Sequence, residues 1–146
     1  MKKLDDLSSN LIYEIQKAFY DERGKGARYR LVRVGVEYVE KELGDKAKSV
    51  DSLVKGLKEL GFVEDITYNE EDIIFSVETK NCVFRTVRDL FMDKGLQPLS
   101  CPVANIVMNF LESKTGLSPE LMPIERDNGT CRFSLAKMAT SDVVED

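Results

Sequence analysis

A chain of 146 residues suits one domain, and 42% hydrophobic with 32% charged residues is the balance of a globular protein rather than a disordered one. A formal net charge of −5 disfavours broad electrostatic binding to nucleic acid or to an anionic membrane. The chain contains no histidine, which excludes Ser-His-Asp and Cys-His catalysis, histidine-ligated haem and mixed Cys/His zinc sites.

The elements follow in chain order. Leu4, Leu7, Leu11, Ile15 and Ala18 recur at three- and four-residue spacing, which predicts a helix over Leu4 to Phe19. Gly24 and Gly26 break it. A second helix is expected to carry Tyr29, Val32, Val36, Val39 and Leu43 on one face, with Gly44 at its C-terminal end. Ser49 caps a third, with Val50, Leu53, Leu57 and Leu60 as its stripe and Gly61 as its stop. Phe62 to Tyr68 and Ile73 to Thr79 are rich in β-branched and aromatic residues and flank Asn69-Glu70-Glu71-Asp72, the pattern of a hairpin. A helix is expected from about Val83 to Lys94. Pro102 opens the clearest helix, with Val103, Ile106, Val107, Phe110 and Leu111 as a broad apolar face and Gly116 as its stop. Leu121 to Arg126 and Thr130 to Lys137 form a second hairpin around Asp127-Asn128-Gly129. In the last strand Cys131, Phe133 and Leu135 share one face.

The order predicts an α+β fold, an antiparallel sheet of about four strands covered by helices. It forms a single domain over residues 1–146. Residues 1–60 are helical, 61–138 mix sheet and helix, and 139–146 are a short polar tail. No apolar run approaches the roughly eighteen residues of a membrane helix. The start, Met1-Lys2-Lys3-Leu4, lacks the apolar core of a signal peptide. A cytoplasmic setting is expected, where thiols stay reduced and an odd count of three cysteines implies no disulfide framework.

The segment from Cys101 to Leu135 carries a family pattern. Cys101-Pro102 leads into the apolar helix Val103–Leu111. Glu125 follows on a strand, then Asn128-Gly129 at a turn, then Cys131-Arg132-Phe133. This resembles the 4-vinyl-reductase-type, or hydrocarbon-binding, small-molecule-binding domains, over about a quarter of the chain. The resemblance implies a fold shared with haem nitric-oxide sensors and Golgi transport particle subunits, an apolar ligand cavity and a homodimer. It also implies a zinc site of conserved cysteines and an acidic residue. Val103-Ala104-Asn105-Ile106-Val107 lacks the glycines that many members have in this helix.

The implied metal ligands are Cys82, Cys101, Cys131 and Glu125. The cysteines lie 19 and 30 positions apart, unlike a Cys-x-x-Cys knuckle. Cys101 at a helix N-terminus would favour a thiolate, and the ordinary alternative is that all three are small buried hydrophobes. The implied ligand contacts are Val103, Ile106, Val107, Phe110 and Phe133, residues that equally suit a filled core. Arg23, Lys25, Arg28, Arg30 and Arg33 offer a basic segment for a phosphate or an acidic partner, or simply a solvated face. Ser49–Leu60 followed by a hairpin has the rhythm of a winged helix. Its hairpin carries Glu64, Asp65, Glu70, Glu71 and Asp72, which repel phosphate. The leading expectation is therefore a sensor or carrier domain for a small, largely apolar molecule. It would act by binding rather than turnover, with zinc or thiol redox chemistry at its cysteines. A DNA-binding transcription regulator is the alternative.

Overall fold

The computed structural model describes residues 2–24, 26–27 and 31–137. Lys25, Arg28, Tyr29, Arg30 and the tail from residue 139 lie outside the described residues, as does the side chain of Leu4. The elements run α1 (Lys2–Arg23), α2 (Val36–Leu43), α3 (Val50–Glu59), β1 (Asp65–Glu70), β2 (Ile74–Lys80), α4 (Arg85–Met92), α5 (Pro102–Thr115), β3 (Glu120–Leu121), β4 (Glu125–Asp127) and β5 (Thr130–Ala136).

The fold is α+β with an open antiparallel sheet. β2 and β5 are its centre, β1 pairs with β2, and β3 and β4 share the far edge of β5. Among the described residues the sheet has five strands rather than about four, because the stretch read as one strand from Leu121 to Arg126 is broken at Pro123. Proline has no amide hydrogen to give to β5. The pairing moves by one residue across this break: Leu121 faces Leu135, whereas Glu125 faces Arg132.

Local chemistry fixes most boundaries. Ser49 and Ser52 cap each other's backbone at the start of α3. Pro102 opens α5, and Gly116 closes it in the left-handed conformation. Asn128 and Gly129 both have positive φ, 45° and 83°, the signature of a tight β4–β5 turn. The second helix is shorter than its apolar spacing suggested. Gly35 takes φ of 93°, and a Cβ there would stand 3.1 Å from Pro102 Cβ. Only glycine lets the start of α2 approach α5 so closely, and residues before it form turns.

Phe75 and Val77 of β2 and Cys131, Phe133 and Leu135 of β5 face the helices. They pack with Val36, Val39, Leu53, Leu57, Val103, Ile106 and Val107 in one core. Glu78, Arg132, Ser76 and Ser134 occupy the other face of the same strands. A second cluster joins α1 to α4, with Tyr13 and Phe91 edge to face at 4.8 Å. Here α1 buries Tyr13 and Gln16. Leu7, Leu11, Ile15 and Ala18 of the expected stripe lie nearly on the opposite side and are exposed, as is Phe19 beside them.

Candidate functional site

The two central strands, α4, α5 and the loops between them line one small, partly open cavity. β2 and β5 supply Thr79, Cys131 and Phe133. The turn after β2 supplies Cys82 and Phe84, and α4 supplies Arg85, Val87 and Arg88. Pro98 and Ser100 precede α5, whose first turn adds Cys101 and Val103, and Ile124 closes the far side. The volume is about 20 Å³, room for about one water-sized group.

All three cysteines line this cavity, each brought by a different local device. Cys131 faces inward by strand alternation, directly opposite Thr79. Cys82 follows Asn81, whose φ of 50° turns the chain off the end of β2 and whose amide donates to Gly129 O at 2.9 Å. Cys101 is the N-cap of α5.

The thiols are free and hold their protons. Burial pushes the Cys101 pKa up to about 12, against the opposing amides of Ala104 and Val103. Burial also raises Cys82, opposed by the Phe84 amide, which donates to its sulfur at 3.4 Å. Cys131 is raised by burial too, although the Arg88 guanidinium and the Thr79 hydroxyl beside it act the other way. Neutral thiols are weak nucleophiles and weak metal ligands.

Among the described residues Arg88 is the one charged side chain in the buried set, 8% exposed. Burial opposes its charge, but Asp89 and Cys131 more than offset this, and it stays cationic. Its Nε donates to Asp89 Oδ1 at 3.0 Å. Its Nη1 is buried and has no hydrogen-bond partner of ordinary geometry, while the guanidinium also lies against the Cys131 thiol. Asp89 is shared: Arg126 donates to the same oxygen at 2.9 Å and also reaches Asp93 at 2.8 Å. Arg85, whose Nη1 donates to Cys82 O at 3.0 Å, adds a second guanidinium at the cavity wall. Arg85 and Arg88 thus both line the cavity, and Arg88 shares Asp89 with Arg126.

Of the expected ligand contacts, Val103 and Phe133 line the cavity. Ile106 and Val107 instead fill the core between α5 and the sheet. Ile106 and Phe110 also border a shallow depression beside α2. Glu125 lies across the sheet from the thiols. It pairs with Arg132, while its neighbour Arg126 pairs with Cys131. Among the described residues no group of three or more cysteines or carboxylates stands placed to hold a metal ion. With protonated thiols and Glu125 on the opposite face, the donors as they stand do not fit tetrahedral zinc.

Arg88, Arg85, Thr79 and Ile124 did not emerge from the sequence as site residues. A signal for Arg88 existed: it falls four residues after Phe84 and three before Phe91, on the apolar side of its helix.

An open apolar groove of about 300 Å³ lies outside the cavity, lined by Val34, Gly35, Tyr38, Leu60, Gly61, Phe62, Val83, Phe84 and Pro102. Among the described residues no helix is long and apolar enough to cross a membrane.

Compared with family models, with curated proteins and with solved structures, the chain matches none. The resemblance to vinyl-reductase-type domains rests on the Cys101-to-Phe133 pattern alone.

Proposed function

We propose that this chain is a small-molecule-binding domain, a sensor or carrier, whose site is the cavity shared by the three thiols and Arg88. The observation that carries this reading is the Arg88 Nη1 group. A buried donor without an acceptor costs about 1–3 kcal/mol, and more when it is charged. A ligand that brings an acceptor among these apolar walls would recover that cost. The neutral thiols argue for binding over turnover. The vinyl-reductase-type resemblance points to the same class of function.

Zinc at this site would require the thiols to close together and lose their protons. Metal analysis of the purified protein tests that version: about one zinc per chain would support it. Three free thiols suit a reducing compartment such as the cytoplasm. A homodimer belongs to the same reading, and the outward α1 stripe would be its seam. Leu11→Lys with Ile15→Lys should then give a monomer by sedimentation. DNA binding has less support. Lys58 of α3 is engaged with Asp65 at 3.3 Å, and the hairpin turn is acidic.

The test of the binding reading uses the thiols as reporters. A library of small organic anions and neutral molecules is screened by thermal shift, and each hit is rescreened by the rate of thiol modification. Hits should slow modification of Cys82 and Cys131. Hits that stabilise the fold yet leave every thiol rate unchanged would place the site elsewhere.

A further inference from the structure

The cavity is partly open and by itself has room for about one water-sized group, whereas the apolar groove outside it is wide and open. One side chain belongs to both: Phe84 lines the cavity and the groove. The rest of the partition is the first turn of α5, where Pro102 faces the groove and Cys101 and Val103 face the cavity. Phe84 is only partly buried and rests tilted against Phe62 at 6.3 Å between ring centres. It sits at the N-cap of α4, outside the regular helix, so its ring can change rotamer without unwinding α4.

The two compartments differ in chemistry. Arg88, with its unpaired Nη1 donor, lines the cavity together with Arg85 and the neutral thiols. The groove is walled by apolar side chains and glycine, with Tyr38 as its polar exception. Val34, Tyr38 and Val83 leave 42%, 51% and 50% of their surface in water there. A molecule that satisfies both halves has one compact anionic end and an unbranched hydrocarbon body.

Building on the binding function proposed above, we propose that cavity and groove are two halves of one site for a straight-chain monocarboxylate. Its carboxylate meets Arg88 and its chain passes Phe84 into the groove. Phe84 is the gate between them. The carboxylate completes the guanidinium's hydrogen bonding in a water-poor setting, where charge-assisted bonds are strong. The chain covers apolar surface that is otherwise wet.

The test is calorimetry on the purified full chain with acetate through octanoate and the matching primary alcohols, all below their micelle concentrations. Affinity for the acids should rise about three- to fourfold per added methylene and exceed that for the matched alcohols. Arg88→Met should weaken octanoate binding more than tenfold and abolish the preference over octanol. Val83→Trp, which fills the groove at an exposed position, should stop the rise after about butyrate. Phe84→Ala should speed association and dissociation together. Octanol binding as well as octanoate would overturn the carboxylate assignment. Acid affinity independent of chain length, or Val83→Trp changing sedimentation while octanoate binding stays intact, would overturn the groove half and leave the cavity reading standing. No binding of any acid or alcohol to folded wild-type protein would overturn this proposal, whereas the thiol-protection screen decides the broader reading independently.

Discussion

Gln97 and Ile124 exchange two hydrogen bonds: the Ile124 amide donates to Gln97 Oε1 at 2.7 Å, and Gln97 Nε2 donates to Ile124 O at 3.1 Å. Ile124 follows Pro123, at the point where the sheet edge is interrupted and β5 gives it no partner. One side-chain amide thus replaces a missing stretch of strand. It also holds Ile124 and Pro98 at the cavity wall.

Gln97→Leu leaves both backbone groups of Ile124 without partners and should cost about 2 kcal/mol of stability. Gln97→Glu keeps the acceptor, loses the donor, and should fall between. Urea denaturation measures both. Equal stability of the leucine variant and the wild type would mean that water serves Ile124 as well as Gln97 does.

Gly56 and Leu43 provide a case where helix propensity and packing oppose each other. Alanine at position 56 would favour α3 by about 1 kcal/mol, but its Cβ would stand 2.5 Å from Leu43 Cδ1. Overpacking typically costs about 1–3 kcal/mol, so Gly56→Ala should destabilise. In a Leu43→Ala background the same change should stabilise. A double-mutant cycle reads the sign reversal, and additive effects would sink the explanation.

Features set by a few adjacent residues were legible in the sequence. Ser49, Pro102, Gly116 and the Asn128-Gly129 turn each act within one turn of chain, so the element types and the α+β class followed from them. Features set by contacts between distant segments were not. Gly35 looked like a helix interior until Pro102 lay against it. The stripe on α1 predicted a helix correctly but not which face would be buried, because Tyr13 and Gln16 find Phe91 and the Ser100 amide only in the folded chain. Nothing in the sequence singled out Asn105, whose Nδ2 reaches the carbonyls of Leu31 and Val34. Glu125 was different: once the two-residue turn fixed Arg126 opposite Cys131, strand alternation already put Glu125 on the other face.

The raised thiol pKa of Cys101 sets a pH window. An unfolded cysteine ionises near 9.0, whereas folded Cys101 keeps its proton to about 12. The folded pKa is raised, so the stability it contributes is complete below about pH 9 and is lost as pH climbs towards 12. Cys101→Ala lacks this contribution and should show a shallower alkaline decline. Urea midpoints between pH 8 and 11 compare the two, with lysines and tyrosines titrating alike in both. Parallel declines would show that the buried thiol ionises as easily as a free one.

Arg88 separates a binding role from a structural one. Methionine matches much of its length and apolar stem, and Asp89 keeps Arg126 at 2.9 Å when the Arg88 charge is gone. Arg88→Met also removes the unpaired Nη1 donor. Removing one partner of a buried ion pair is costly when the other is left buried and unpaired, but Asp89 is partly exposed and keeps Arg126, so this variant should unfold within about 1 kcal/mol of the wild type. Arg88→Ala lacks the stem as well and should lose about 2 kcal/mol more by enlarging the cavity. Denaturant titration ranks the three. A methionine variant as damaged as the alanine one would mean that the charge, through Asp89 and Cys131, holds the fold together, and the guanidinium would then need no ligand to explain it.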